Sequence, residues 1–231
     1  MFNLFLFVAV PYAAVAVAVL GGIVRFRTDR FSISSHSSQF LENRALFWGS
    51  NAWHYAILFI LGAHLAAFVA PGTWARLLGP PVRLYVIEGT GIALGFLALF
   101  GLLVLCARRV FSNRIARVTS HADWLLLVVL LGQTAFGLYV AIANRWGGAW
   151  YPHTVVPWLR SLITLHPDIS TMTGVPWPVK AHAVGAFLLL VLFPYTRLVH
   201  IVTYPVSYLW RPYQRVIWNR RRPAIHEGAR R

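Results

Sequence analysis

PVKAHAVGAFLLLVLFPYTRLVHIVT, residues 178–203, is long enough to cross a bilayer and places a histidine near each end, His182 and His200. An apolar span needs about 20 residues to cross roughly 30 Å of hydrocarbon, and an ionisable side chain inside one is costly enough to imply a partner or a function. On a continuous helix these two positions fall on one face, roughly 27 Å apart, one at each membrane depth. The other apolar stretch with two histidines is NAWHYAILFILGAHLAAFVAP, residues 51–71, whose His54 and His64 lie about 15 Å apart. With the two stretches antiparallel, His54 pairs with His200 and His64 with His182. Tilt, a kink at Pro194 and slanted cofactor planes must then absorb the unequal separations, whose mean sets the two pairs about 20 Å apart. A lone histidine in an apolar helix is more often a hydrogen-bonded structural residue, but four at matched depths predict two bis-histidine haems. With both axial positions filled, such irons carry electrons and leave no open site for oxygen or substrate.

Composition sets the class. Of the 231 residues 58% are hydrophobic and 12% charged, where soluble domains carry about 25% charged residues. This is an integral membrane protein. The net charge of +15 comes from arginines in short runs beside apolar segments, the pattern of a positive-inside bias and not of a nucleic-acid groove. Cys106 is the sole cysteine, so the chain has no internal disulfide, no covalent haem attachment and no four-thiolate iron–sulfur site.

Five spans are expected, at 2–24, 46–70, 83–107, 122–143 and 178–203, giving an all-α bundle in one domain, 1–231, with a basic tail from about 205 to 231. The first span has no preceding positive charge and a long apolar core, unlike a cleavable signal peptide; Pro11 should kink it. Fifteen Lys and Arg fall on one side and five on the other, which places the N-terminus outside and the C-terminus in the cytoplasm. His54 and His200 are then the inner pair, His64 and His182 the outer. His36 reads as a solvated loop residue, and His121 with Asp123 as a cap or surface pair. The glycines of the third span, Gly89, Gly91, Gly95 and Gly101, suit close approach of a helix or a cofactor. The outer loop 144–177 is rich in Trp and Pro, with one short interfacial helix expected at 157–165 starting on Pro157; His153 and His166 beside it read as surface residues. Haem propionates need cations, and the candidates are Lys180, Arg197, Arg108 and Arg109.

Four stretches carry a more specific likeness: SNAWHYAILFILGAH (50–64), RRVFSNRIARVTSHADWLLL (108–127), QTAFGL (133–138) and FPYTRLVHIVTYPVSYLWRPYQ (193–214). With span count and orientation, the chain resembles the gamma subunit, the membrane cytochrome b, of respiratory nitrate reductase. The resemblance implies two haems b on His54, His64, His182 and His200, and a multi-pass subunit of the inner (cytoplasmic) membrane. It further implies oxidation of menaquinol or ubiquinol near the outer haem, beside His64. Electrons would then pass to an iron–sulfur subunit and a molybdenum catalytic subunit on the cytoplasmic face. In the family a lysine at the outer start of the third span is tied to the quinol pocket; this chain has Leu84 there, and the adjacent Arg83 is the candidate to replace it. Two other readings stand beside this one: a related two-haem subunit of a sulfur-metabolism or heterodisulfide reductase complex, and a structural membrane anchor without haem.

Overall fold

Long runs of Leu, Val, Ala and Phe leave the backbone no polar partner but itself, so in lipid they must close their own hydrogen bonds as helices. The computed structural model describes residues 1–29 and 44–203. The polar loop with His36 and the basic tail lie outside the described residues. In chain order the helices are α1 (Phe2–Thr28), α2 (Arg44–Val69), α3 (Pro71–Leu78), α4 (Pro81–Phe111), α5 (His121–Ala143), α6 (Gly147–Ile163) and α7 (Trp177–Leu192). Among the described residues five helical segments are long and apolar enough to cross a membrane: α1, α2, α4, α5 and α7 continued to Tyr195. The expected spans are therefore all present, with α1 and α4 several residues longer than hydropathy alone implied. Pro71 and Pro81 open α3 and α4 at the position where a missing N–H costs nothing. Ser120 and Asp123 close a reciprocal capping box at the start of α5.

The packing runs α2 on α4, α4 on α5, α5 on α7 and α7 on α1, while α2 and α7 are not a packed pair. Two glycines allow the tightest of these seams. A Cβ on Gly101 would stand 2.6 Å from the Trp53 nitrogen and 2.8 Å from the Gly49 carbonyl, so α2 and α4 touch backbone to backbone there. Gly95 meets Leu138 of α5, whereas Gly89 and Gly91 have nothing within 4 Å.

Two prolines inside helices create carbonyls without a helical partner, and tryptophans from other helices bond both. Pro11 cannot donate to the Phe7 carbonyl, which instead accepts Trp158 Nε1–H at 2.8 Å. Pro152 leaves the Gly148 carbonyl, which accepts Trp74 Nε1–H at 3.0 Å. This explains a difference from expectation: α6 is not a short helix beginning at Pro157 but runs Gly147–Ile163 through both Pro152 and Pro157. Glu88 of α4 adds to its start by accepting the Gly148 N–H at 2.6 Å. Trp158 is 1% exposed and sits in a core with Phe7, Val140, Val155, Leu162, Met172 and Val179, where α1, α5, α6 and α7 meet.

The fifth span corrects a second expectation. It is not one helix from 178 to 203, because α7 stops at Leu192 and gives way to 3-10 turns at Phe193–Tyr195 and Arg197–Val199 before a last turn at His200–Thr203. Pro194 is the cause, since its missing N–H and ring disrupt the ladder. Thr196 Oγ1 donates to the Leu192 carbonyl at 2.8 Å and Arg25 donates to the Pro194 carbonyl at 2.5 Å, which fixes the break in place. His182 and His200 are therefore not related by a single helical screw.

Candidate haem-ligand site

Four imidazoles share one local arrangement. His54 Nδ1 lies 2.7 Å from the Ser50 carbonyl, His64 Nδ1 2.8 Å from the Ile60 carbonyl, His182 Nδ1 3.1 Å from the Gln133 carbonyl and His200 Nδ1 2.6 Å from the Arg197 carbonyl. A carbonyl only accepts, so each Nδ1 carries a proton, and in the neutral ring Nε2 is then the nitrogen with the lone pair. That is the tautomer a histidine takes when it binds a metal through Nε2 while its other ring nitrogen donates to a carbonyl.

The four fall into two groups. The His54 and His200 rings meet edge to face, with centroids 6.0 Å apart and planes at 71°, although α2 and α7 are not a packed pair. Two axial imidazoles on one metal, each bonded at about 2 Å, have their centroids about 6 Å apart, so this pair fits an iron between them. His64 lies ten residues further along α2, and His182 lies in the first turns of α7. Tyr151 of α6 packs edge-on against His64 at 5.4 Å, and burial pushes its phenol above its ordinary value. Among the described residues no cluster of three or more metal-ligating side chains occurs; pairs suffice where a porphyrin supplies the remaining four nitrogens.

The cations named from sequence are placed as follows. Arg197 makes a bidentate pair with Asp123, Nε to Oδ1 at 2.7 Å and Nη2 to Oδ2 at 3.3 Å. Arg108 is buried, and Arg109 donates to the Leu105 carbonyl at 3.1 Å. Lys180 donates to the Thr173 carbonyl at 2.8 Å. Arg83 is exposed in the first turn of α4. His121, His153 and His166 are exposed. Asp123 is more than the cap or surface pair expected, being buried and ion-paired. Sequence reasoning missed Tyr151, Gln133 and Gly137 as neighbours of the histidines. The four-residue spacing of Gln133 and Gly137 on one helix face was the available signal.

Residues 3–219 match the family described as nitrate reductase gamma subunit. The chain is 34% identical over 215 residues to the nitrate reductase gamma chain of Bacillus subtilis, covering 91% of this chain and 95% of that one. The chain belongs to the nitrate reductase gamma subunit family. It is likewise 34% identical over 218 residues to the respiratory nitrate reductase 1 gamma chain of Escherichia coli, covering 93% and 96% of the two chains. Against the nitrate reductase-like protein NarX of Mycobacterium tuberculosis it is 32% identical over 214 residues, 88% of this chain but 32% of that longer protein. As a gamma subunit the chain is a multi-pass membrane component of nitrate reductase, and its five apolar helices are the membrane part.

Proposed function

We propose that this gamma subunit binds two haems b, one between His54 and His200 and one between His64 and His182, and links quinol oxidation to nitrate reduction in partner subunits. When bound, the haems supply one-electron relays, so that the two electrons of a quinol leave singly while its two protons are released. The observation that carries the reading is the meeting of the His54 and His200 rings, centroids 6.0 Å apart, together with an Nδ1-to-carbonyl bond at each of the four histidines. α2 and α7 supply or lead to the ligands, and their rings meet where the helices themselves do not.

The charge distribution supports an orientation with the N-terminus outside and the His54–His200 end at the cytoplasm. Quinol is then oxidised at the His64–His182 end, where α6 crosses and Arg160 holds the end of α2 by donating to the Phe68 and Val69 carbonyls at 2.8 and 3.1 Å. Arg83, at the start of α4, is the cation nearest the family's quinol-site position. An iron–sulfur subunit and a molybdenum subunit receive the electrons at the cytoplasmic end. Lys180, Arg197, Arg108 and Arg109 are the residues at the right depths for haem propionates. Haem quantification on the purified complex tests the ligation directly. Two haems b per gamma chain are expected, and one or none would sink the pairing.

A further inference from the structure

The two histidines of α2 and the two of the fifth span are oriented by different means. His54 and His64 bond the carbonyls of Ser50 and Ile60, each four residues back on the same helix, so their ring settings belong to α2 alone. His182 instead crosses to α5, where its Nδ1–H reaches the Gln133 carbonyl at 3.1 Å. The Gln133 side chain returns the bond, Nε2 donating to the His182 carbonyl at 2.9 Å. One turn along α5, Gly137 lies under the ring: a Cβ there would stand 2.7 Å from His182 Cε1 and 3.3 Å from both ring nitrogens. On α7 itself a Cβ at Gly185 would collide with the Gln133 amide oxygen, so both helices are kept bare where this reciprocal pair forms.

His200 depends on α5 by a second route. Its acceptor, the Arg197 carbonyl at 2.6 Å, belongs to a 3-10 turn beyond the Pro194 break, which closes on the His200 N–H and is not part of the α7 ladder. That turn is tied down through the Arg197 guanidinium, which both Asp123 oxygens hold at 2.7 and 3.3 Å. Asp123 is fixed in turn by the Ser120 N–H at 3.0 Å and by its own place in the first turn of α5. The two arrangements lie ten residues apart on α5, about 15 Å along its axis, and share no side chain.

We propose that α5, which carries no ligand, positions both fifth-span histidines independently: Asp123 sets His200 through the Arg197 turn, and Gln133 with Gly137 sets His182. Asp123, Gln133 and Gly137 are positioning residues, acting on ring rotation and on the basicity of the ligating nitrogen. The inference rests on the ligation proposed above. It predicts that one helix tunes two haems separately, from its two halves.

The test uses the whole complex in detergent, with low-spin EPR signals and redox titration of each haem and with haem content as readouts. His200→Ala and His182→Ala identify which signal belongs to which pair. Asp123→Asn is expected to displace the signal and potential of the His200 haem alone, with about ten- to a hundredfold weaker retention of that haem. Asp123→Glu should restore most of it. Gly137→Ala and Gln133→Leu should alter the His182 haem alone. Val128→Ala, on an exposed position of the same helix about 140° around from Asp123, should move neither. If Asp123→Asn fails to assemble, Arg197→Lys keeps the charge and removes the fork, and the same selective shift is expected. Two haems present but both shifted equally by either variant, or neither shifted by any, would overturn the positioning role and leave the ligation standing. A wild-type complex without haem would overturn both.

Discussion

At each of the four histidines the bond at Nδ1 decides what the other nitrogen can do. A carbonyl partner fixes the proton on Nδ1 and leaves Nε2 as a base; exposed His166 makes the same bond to the Thr164 carbonyl at 2.8 Å, so what sets the four apart is the second imidazole that pairing requires. Tyr151 shows the same dependence on surroundings in a group that titrates. Its ring lies against His64 and its burial raises the phenol's pKa above the ordinary 10.0, so the folded state holds the proton more tightly than the unfolded chain. That contribution is complete below pH 10 and is lost as pH rises through the folded value. The apparent Tm of the complex is therefore expected to fall above pH 10, and Tyr151→Phe to flatten that part of the curve. Thermal scans between pH 9 and 11 check this, and an unchanged slope in the variant would count against it.

Helices in this protein are joined by bonds that repair defects in their neighbours. The Phe7 carbonyl is free because of Pro11 and is bonded by Trp158, so Trp158→Phe should cost about 1–3 kcal/mol for the orphaned acceptor, beyond the volume lost. Pro11→Ala restores a local N–H. The two changes together should cost less than their sum, a coupling measurable by a double-mutant cycle on thermal or denaturant unfolding. The α2–α4 seam makes a sharper contrast between positions of one residue type. Gly101→Ala drives a Cβ to 2.6 Å from the Trp53 nitrogen and should destabilise by about 1–3 kcal/mol or more. Gly89→Ala and Gly91→Ala, with nothing within 4 Å, should leave the melting temperature unchanged. Equal effects at Gly89 and Gly101 would mean that the seam is not the close contact described.

Across the whole molecule, the proposed ligation makes one histidine pair the entry of the electron route and the other its exit. Replacing His64 or His182 by alanine should remove one haem and stop quinol from reducing the other. Replacing His54 or His200 should let quinol reduce the remaining haem while nitrate no longer reoxidises it. In both cases an artificial donor acting on the soluble partners should still support nitrate reduction, provided the complex assembles. Stopped-flow haem reduction with quinol, followed by addition of nitrate, separates the two classes. Orientation has its own test in a background with Cys106→Ser. Ser170→Cys, between α6 and α7, should react with an impermeant thiol reagent from outside the cell, and Asn113→Cys, between α4 and α5, only from within.

Span number, helical class and family were all legible in the chain, because hydropathy and helical period are local properties that a bilayer turns directly into spans. The break after Leu192 and the full length of α6 were not. Proline at 194 breaks a helix whereas proline at 152 is carried through one, and what differs is the tertiary surroundings: Trp74 reaches the carbonyl that Pro152 leaves. The histidines as candidates came from the sequence, but what orients them did not. Two of their acceptors lie four residues back on the same helix and follow from helix geometry. The other two depend on contacts with α5 across 49 residues, from Gln133 to His182, and 74 residues, from Asp123 to Arg197. Such contacts exist only once the helices have packed, since a ring nitrogen or a guanidinium selects its partner by position in space and carries no local signal of which one it will meet.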